Sequence, residues 1–489
     1  MSRWTNFDGQ FIVSTEERAS SEGTRTLPLN SLFVTLHPQI DMITVIDNDD
    51  KVIGAFLGTV IDHDTGNLVT TTIKLNTKIT TAESINNLVE EEVYKYSGRF
   101  IFILDAAAQR RIYLDANGTL SLVYDKNAKL AGATAGVLMD EGDYRERFRS
   151  DLYRTLDVDH EGWFPAGLTA HRGVDRLLCN HYLDLDTWIP VRHWPLEALA
   201  ESHDPELAYS QIGDRVTQTI RALANSGKVA VALTAGNDSR LLLACCRTLT
   251  DHVSFVTVEA RGADLDLACA KKLANKFNLR HEILSYRQAT PAQAALWQLR
   301  AGHCVGGVNM TMHPSVHPLD GKIFIGGLGG EIGRGFLWLN AEKDTPLDAA
   351  SIVSRLKLPQ NDEIIEAVQQ WLLPIDNFDT LLKLDLAYME LRMSAWGFCD
   401  SYTMPNQIEL HPIISRQNYS AMLSLPSDQR RNRDMLLRYI DFTWGDILTY
   451  PINRYGDWRD PYSKFKAALL NPRKVTKKAR QLFYASRTQ

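Results

Sequence analysis

A short run of small and polar residues, VAVALTAGNDSR at Val229–Arg240, has the composition of a phosphate-binding turn. The apolar start predicts a buried strand, and the small residues after it would let a phosphate approach the backbone closely. The following helix start presents backbone N–H groups that favour an anion. Asp238 offers the oxygen ligand that Mg²⁺ prefers, and the Ser239 hydroxyl can cap the helix or hold phosphate. An ordinary helix N-cap uses the same residue types, so the run alone leaves both interpretations open.

A second run, KIFIGGLGGEIGRGF at Lys322–Phe336, is another apolar strand that ends in six glycines and one acid, Glu331. Glycine loses more conformational entropy on folding than any other residue, so this density predicts a close approach between the backbone and a ligand. A tight loop packed on a neighbour is the alternative. Two such strand ends, each with one carboxylate, can clamp one metal–polyphosphate. The first run contains neither GxxxxGK[ST] nor GxGxxG, which excludes a Walker-type loop and the dinucleotide fingerprint there.

Two hydrophobicity patterns predict the elements that must position these runs. Residues 30–135 alternate in period two between turn signals, which predicts a β-rich region with one helix at AESINNLVEEEVYKYS. From residue 203 strands and helices alternate, which predicts a parallel sheet covered by helices, and the pattern beyond 340 is mostly helical. We therefore predict an α/β protein of two domains, residues 1–200 and 201–489.

Composition narrows the class of protein. The chain has 489 residues, 44% of them hydrophobic and 23% charged, with a net charge of −6, which argues against a basic nucleic-acid binder. The tail after Asp460 carries eight Lys or Arg and no acid, and a solvated helix face is its simpler interpretation. The N-terminus is polar and no run of about 18 apolar residues occurs, so we expect no membrane span. The six cysteines contain no CxxC pair, so we expect buried thiols and a cytoplasmic location.

The motifs also carry a family resemblance. LTAGNDSR resembles the Ser-Gly-Gly-x-Asp-Ser pyrophosphate loop of the N-type ATP pyrophosphatases, and GGLGGEI matches the second loop of the asparagine synthetase family within them. DLAYMELRMSAWG, HPIIS and LLRYIDFTWGDILTYPINR are similar to later elements of that family, which includes β-lactam synthetases and lasso-peptide macrolactam cyclases. The resemblance covers roughly residues 203–460 and implies an adenine-nucleotide α-hydrolase-like synthetase domain with a helical C-terminal part. A weaker one, through GRFIFILD, DANGTLSLVYD and NHYLDLDTWIPVRHWP, implies an Ntn-like N-terminal domain of the αββα type, related to class II glutamine amidotransferases.

The resemblance implies a site for ATP and Mg²⁺. The residues that it places around the adenine and ribose are Leu233, Thr257, Gly326 and Gly327. Those that it turns toward the pyrophosphate are Thr234, Gly236, Ser239 and Arg240. Those that it assigns to Mg²⁺ are Asp238 and Glu331.

The resemblance assigns the catalytic chemistry to three further residues, Asp385, Tyr388 and Arg454. Asp385 matches a family carboxylate near the amine site, and helical spacing puts it on one face with Tyr388 and Arg392. A purely structural set of polar contacts is the alternative for that face. Arg454 stands where the family has a lysine in a basic loop, and a surface arginine paired with Asp457 or Asp460 is its alternative.

Several positions depart from the family pattern. Ser2 stands where a glutaminase needs a cysteine nucleophile, which predicts a degenerate glutaminase domain because a hydroxyl is the weaker nucleophile. Glu331 replaces an aspartate and still permits Mg²⁺ ligation. Leu328 replaces a polar catalytic group, and Arg454 replaces a proton-transferring lysine, which together leave the acceptor chemistry open.

The implied function is that of an ATP-dependent amide ligase. A substrate carboxylate would attack the α-phosphate of Mg-ATP, and an amine would then displace AMP from the acyl-adenylate. The partner is a small molecule or peptide with a carboxylate and an amine; nucleic acid is not expected, and a homo-oligomer remains open. The alternatives are an asparagine synthetase that uses ammonia or glutamine, an RNA-modifying ATP pyrophosphatase, and a non-catalytic subunit that binds a nucleotide or a peptide.

Overall fold

The computed structural model describes residues 7–18, 23–76, 82–106 and 109–461. Ser2 and the lysines and arginines of the tail after Asp460 lie outside the described residues, so the predictions made for them remain predictions.

Two largely antiparallel sheets make up the first part of the chain. Their strands, in chain order, are β1 Phe11–Ser14, β2 Arg25–Leu29, β3 Leu32–Leu36, β4 Met42–Ile46, β5 Val52–Asp62, β6 Asn67–Leu68, β7 Ile73–Lys74, β8 Ser97–Ala106, β9 Gln109–Leu114, β10 Val123–Asp125, β11 Leu130–Gly132, β12 Asp175–Arg176, β13 His181–Asp184 and β14 Ile189–Arg192. One sheet has the order β12-β10-β11-β1-β3-β2, and the other has the order β14-β13-β9-β8-β5-β4-β7 with β6 beside β5. The period-two pattern of residues 30–135 is thereby confirmed as strand.

Alternation along β8 shows how these sheets are packed. Ile101 and Ile103 belong to the large core that includes the six-stranded sheet, whereas Phe100 and Phe102 belong to a second apolar cluster on the opposite face. That second cluster includes side chains from the helix α1, Ala82–Leu88, and from a π-helical turn at Val89–Val93. The larger sheet is therefore buried on both faces, against the other sheet and against a helical layer. The Ntn-like architecture and the domain boundary at residue 200 stay predictions.

A five-stranded parallel sheet follows, as the alternating pattern predicted. Its strands are β15 Val229–Ala232, β16 Val253–Glu259, β17 His281–Ser285, β18 Ile323–Ile325 and β19 Ile408–Leu410. Their order is β17-β16-β15-β18-β19, and every neighbouring pair is parallel. The fold is thus of the mixed α/β class.

Helices connect and cover the sheets. In chain order they are α2 Ala135–Leu138, α3 Glu141–Glu146, α4 Ser150–Thr155, α5 Pro205–Ser226, α6 Asn237–Cys245, α7 Asp264–Phe277, α8 Pro291–Arg300, α9 Gly307–Met312, α10 Ala349–Arg355, α11 Asp362–Leu372, α12 Thr380–Leu386, α13 Gly397–Tyr402, α14 Arg416–Leu423, α15 Ser427–Asn432 and α16 Asp434–Trp444. Short 3-10 segments lie at His313–Leu319, Ile332–Arg334, Leu373–Ile375, Met393–Trp396 and Gly445–Thr449. Within the described ranges, none of these helices has both the length and the apolar surface that a bilayer crossing requires. All six cysteines are buried free thiols, as predicted.

Candidate functional site

The order of the parallel strands places a crevice between β15 and β18. From β15 the chain moves outward through β16 to β17, and it later returns to add β18 and β19 on the other side. The connections that leave β15 and β18 therefore run in opposite directions, and ligands of open parallel sheets bind at such a point. Both motifs are here: residues 233–239, the first loop, follow β15, and residues 326–336, the second loop, follow β18.

The first loop is held in shape by its own side chains. The backbone N–H of Thr234 donates to Ser239 Oγ at 3.1 Å, and the N–H of Gly236 donates to Thr234 Oγ1 at 3.1 Å. Ser239 Oγ in turn lies 3.1 Å from the Thr234 carbonyl oxygen. The structure thus brings Thr234, Gly236 and Ser239 together, with their polar atoms engaged inside the loop.

Asp266 is a residue of this loop region that sequence reasoning missed. It lies in the first turn of α7, and its Oδ1 accepts the backbone N–H of Ala235 at 2.8 Å. This N–H is one of the donors that a phosphate would otherwise use. Asp264 and Asp266 at the start of α7 were a usable sequence signal for this contact. The helix follows β16, the neighbour of β15, so it starts at the same edge of the sheet as the first loop.

Glycines in the second loop allow the two loops to touch. A Cβ added to Gly327 would lie 2.9 Å from Asp238 Cβ, and one added to Gly330 would collide with the Asp238 carboxylate. Gly329 has a φ of +106°, a conformation that other residues rarely adopt. The density of glycine is therefore explained by a close approach between loops, with Asp238 seated against the second loop.

Asp238 and Glu331, the carboxylate pair, share one cation, Arg334. Its Nη1 and Nη2 donate to Asp238 Oδ1 and Oδ2 at 2.7 and 3.0 Å, and Nη2 lies 3.3 Å from Glu331 Oε1. Burial and the charge of Asp238 raise the pKa of Glu331, although Arg334 acts in the opposite direction. Sequence reasoning missed Arg334, because a pairing between two loops leaves no local pattern.

The carboxylate pair is chemically suited to Mg²⁺. This ion takes one or two carboxylates together with phosphate oxygens and water. Asp238 and Glu331 both lie within ion-pair distance of the Arg334 guanidinium, so the two carboxylates converge on the position of one cation. Because Arg334 engages both oxygens of Asp238, it competes directly with a metal for that ligand. A bound cation requires Arg334 to release at least one oxygen.

The residues implied for adenine and ribose also meet at this edge of the sheet. Thr257 Oγ1 donates to the Leu233 carbonyl oxygen at 2.7 Å and lies 2.8 Å from His281 Nε2. Gly326 follows β18 and bonds through its N–H to the Leu410 carbonyl oxygen at 3.0 Å. Leu233 and Thr257 are both buried, so they would form part of the wall of a ligand site and would contact a ligand mainly through their backbone.

Arg240 does not face the first loop. Its side chain is fully buried and donates to the backbone carbonyls of Ile447 at 3.3 Å, Tyr450 at 3.1 Å and Pro451 at 3.4 Å. One turn of α6 past the loop, the guanidinium points to the C-terminal segment. We therefore leave Arg240 out of the proposed pyrophosphate contacts.

Asp385 is separated from Tyr388 and Arg392. The buried carboxylate of Asp385 pairs with Arg430 at 2.8 Å, and burial raises its pKa to about 7. The helix that was expected to align these residues is α12 only to Leu386, and Ala387–Arg392 is a π-helical segment. Because a π-helical turn holds more residues than an α-helical one, α-helical spacing no longer puts the three on one face. Asp385 lines a small cavity with Arg430, whereas Tyr388 and Arg392 line a different one.

Tyr388 packs against the second loop through Phe336. Burial raises its pKa well above the ordinary tyrosine value, and the charge of Glu331 adds to this effect. Its ring lies 5.0 Å from that of Phe336, between centroids. Tyr388 is therefore a neutral hydrogen-bonding group at the second loop.

Arg454 is exposed on a loop that contacts the first loop. The backbone N–H of Asn453 donates to the Ala235 carbonyl oxygen at 2.8 Å. The acids that were its alternative partners are engaged elsewhere: Asp457 pairs with Lys272 and Arg459, and Asp460 accepts backbone N–H groups. Within the part of the chain that the structure describes, no carboxylate pairs with the Arg454 guanidinium.

A second charged cluster adjoins Gly326. His411 Nε2 lies 3.2 Å from Asp400 Oδ2 and 3.8 Å from Glu409 Oε1, and a Cβ on Gly326 would lie 2.6 Å from the imidazole. Burial lowers the pKa of His411, but the hydrogen bond and charge of Asp400 prevail and raise it to about 9. The cluster thus places His411 between two acids, beside Gly326, and its raised pKa favours the protonated form near neutral pH.

Comparison with known proteins adds little to this geometry. No protein-family model and no curated protein matches the chain. The solved structures that are similar to part of it include an NH3-dependent NAD synthetase from Campylobacter jejuni, 16% identical, covering 36% of this chain and 76% of that one with a TM-score of 0.18. The NMN synthetase from Francisella tularensis is 12% identical and covers 48% of this chain and 95% of its own, also with a TM-score of 0.18. Likeness of this degree carries no functional argument, so the function has to be argued from the site and its motifs.

Proposed function

We propose that the protein is an ATP-dependent amide ligase, which adenylates a substrate carboxylate and transfers the acyl group to an amine. The observation that carries the proposal is the meeting of Asp238 and Glu331 at one cation, at the crevice of a parallel sheet. The resemblance of both loops to the asparagine synthetase family supports the same chemistry. Adenine and ribose would lie toward Leu233, Thr257, Gly326 and Gly327, with the phosphates between the two loops.

The negative charge of ATP would be neutralised in part by Mg²⁺ on the carboxylate pair and in part by Arg334. Asp238 and Glu331 would hold Mg²⁺, which when bound neutralises phosphate charge. Once Arg334 releases Asp238, its forked donors suit the oxygens of the departing pyrophosphate. Arg454, exposed beside the first loop, would act as a further cation, since an arginine cannot relay a proton near neutral pH.

The reaction would proceed in two balanced steps. A substrate carboxylate oxygen bonds to the α-phosphorus as the bond from that phosphorus to the bridging oxygen breaks, and pyrophosphate leaves. The amine nitrogen then bonds to the acyl carbon, AMP leaves with the electron pair of the acyl–oxygen bond, and the amine loses a proton to solvent. Because its pKa is raised, Tyr388 would stay a phenol and would donate a hydrogen bond rather than remove that proton.

Product analysis tests this proposal. With Mg-ATP and panels of acids and amines, we expect AMP and pyrophosphate in equal amounts; ADP and phosphate would contradict adenylation. Asp238→Asn should lower the rate by at least about tenfold, equivalent to ~1.4 kcal/mol. The matched control is Asp251→Asn, an exposed acid just before the start of β16, at the opposite edge of the sheet, which should keep the wild-type rate.

A non-catalytic nucleotide-binding protein is the second candidate. It is favoured by Asp266, which occupies an N–H of the first loop, and by Arg334, which occupies Asp238. Calorimetric titration with ATP separates the two candidates. Binding without AMP formation from any acid–amine pair would favour this candidate over the ligase.

A further inference from the structure

A second cavity opens directly beside the second loop. It encloses about 450 Å³, and its walls include Phe336 from the loop, and Tyr388, Arg392 and Trp163 from outside it. Tyr388 lines this cavity, and its ring lies 5.0 Å from that of Phe336 in the second loop, between centroids. Cavities of this size suit small organic molecules.

Arg392 is the unusual group in this cavity. Its guanidinium carbon lies over the rings of Trp163 and Trp396, 4.0 and 4.6 Å from their centroids. Among the residues that the structure describes, no acceptor takes a hydrogen bond from Arg392 and no carboxylate lies within ion-pair distance of it. Its Nη1 is buried without any partner. Glu161 contributes only at longer range, and its Oε1 instead accepts the backbone N–H of Val308 at 3.3 Å.

The other cations of the cavity differ from Arg392. Arg355 Nη1 donates to the carbonyls of Leu337 and Trp338 at 3.2 and 2.9 Å, so its hydrogen-bonding capacity serves the fold. Lys357 is exposed to solvent. Arg392 is thus the cation that is both partly buried and without an acceptor in the described part of this cavity, and such a group is costly unless something pairs with it.

The geometry around Arg392 selects the chemistry of that partner. Stacking on indole rings engages a face of the guanidinium and leaves the N–H donors directed outward in its plane. A planar carboxylate accepts such donors in pairs. The rings of Phe336 and Tyr388, whose centroids are 5.0 Å apart, offer an apolar surface for the rest of the molecule, and Phe336 is 54% exposed in their present arrangement.

We propose that this cavity binds an organic acid with an aromatic or similarly flat apolar body, whose carboxylate pairs with Arg392. The reacting group of that molecule then extends past Tyr388 toward the carboxylate pair, so the carboxylate on Arg392 is an anchor and not the group that reacts. The proposal that the acid binds here depends only on the cavity and Arg392. The further proposal that this acid is the ligase substrate rests on the proposed function.

Binding without ATP tests the cavity by itself. The probes are 3-phenylpropionate, its neutral amide 3-phenylpropanamide, and phenethylamine. Their binding is followed by calorimetry and by the change in total tryptophan fluorescence, to which Trp163 and Trp396 contribute among the ten tryptophans of the chain. We expect the acid to bind at least about tenfold more tightly than the amide, the usual effect of one charge-assisted pair, and the amine to bind most weakly. Equal affinity for acid and amide, or no binding of the acid at millimolar concentration, would overturn the proposal.

Two variants locate the anchor. Arg392→Met should weaken binding of 3-phenylpropionate by about tenfold or more and leave the weak affinity for the amide unchanged. Lys357→Met removes the same charge at the exposed position and should change affinity less than about twofold, as expected for a solvated charge. Thermal melting checks that each variant is folded; if Arg392→Met does not fold, the comparison of acid and amide on the wild-type chain still decides. Wild-type binding of the acid, together with no AMP from any acid–amine pair of the panel used to test the proposed function, would reject the ligase and keep the anchor. AMP formation from such a pair that is unaffected by Arg392→Met would reject the anchor and keep the ligase.

Discussion

Replacing Arg334 with methionine should make the folding stability of the protein depend on Mg²⁺. Arg334 contacts both oxygens of Asp238 at 2.7 and 3.0 Å and lies 3.3 Å from Glu331. The variant keeps the unbranched side chain but removes the cation. Two partly buried carboxylates are then left close together without a neutralising charge, which is the condition under which a divalent cation binds best.

The size of the effect follows from burial. Breaking a fully buried ion pair by removing one partner costs about 3–5 kcal/mol. The side chains of Asp238, Glu331 and Arg334 are 17%, 16% and 17% exposed, so solvent relieves part of that cost. We expect Arg334→Met to lower the free energy of unfolding by about 2–3 kcal/mol in metal-free buffer. Mg²⁺ at ten times its dissociation constant would restore about 1.4 kcal/mol.

Urea denaturation with EDTA or with Mg²⁺, at matched ionic strength, measures both quantities. The wild type should respond weakly to Mg²⁺ when no nucleotide is present, because Arg334 already holds Asp238. The double variant Asp238→Asn/Arg334→Met should lose the response, since it removes a ligand as well as the competitor. If Arg334→Met proves no more sensitive to Mg²⁺ than the wild type, the carboxylate pair is not a metal site.

Three further outcomes are expected. Arg454→Lys should keep substantial ligase activity because the charge survives, while Arg454→Met should lose about 10²-fold in kcat, the effect of removing one preorganised stabilising group; equal rates for wild type and the methionine variant would place Arg454 outside the site. Because Ser2 replaces a cysteine nucleophile, incubation with glutamine should release no glutamate coupled to AMP formation, and a stoichiometric release measured by chromatography would contradict this. The pKa of His411 is raised to about 9 and that of its neighbour Glu409 is also raised, so the folded chain binds more protons than the unfolded one and stability should fall as pH rises from the normal glutamate range toward about 9. Urea denaturation at several pH values should show this fall in the wild type and a flatter profile in Glu409→Gln/His411→Gln; a stability that rises over the same window would refute the assignment.

Features set by local sequence could be predicted, and features set by pairing across the fold could not. The period-two and βαβ patterns identified the strands, and the glycines of the second loop predicted a close approach. The partner in that approach includes Asp238 of the first loop, which a ligand-based explanation of the glycines did not anticipate. Arg334 lies 96 residues from Asp238, so nothing in the sequence around it marks that pairing, and Asp266 lies 31 residues from Ala235, where the acid pair at the start of α7 was the only local signal.

Helical spacing was misleading where the backbone changed its type. The positions of Asp385, Tyr388 and Arg392 suggest one face only if the helix is regular, and a π-helical segment lies between Ala387 and Arg392. Arg240 was assigned by its place in a motif, whereas its guanidinium donates to carbonyls of the segment after α16. The motifs therefore predicted which loops meet at this edge of the sheet, but the direction of each long side chain depended on which acceptors the rest of the fold supplied.

The hydrogen bonds from Arg240 to the segment after α16 have a consequence for folding during translation. Its acceptors, at Ile447, Tyr450 and Pro451, are separated from it by 207 to 211 residues. Before those residues are translated, the guanidinium of Arg240 in α6 lacks these carbonyl acceptors. The Ala235 carbonyl oxygen likewise lacks the hydrogen bond from the N–H of Asn453. The contacts that tie α6 and the first loop to this segment can thus form only after residues 447–453 have been translated, so the crevice stays incomplete in any shorter nascent chain.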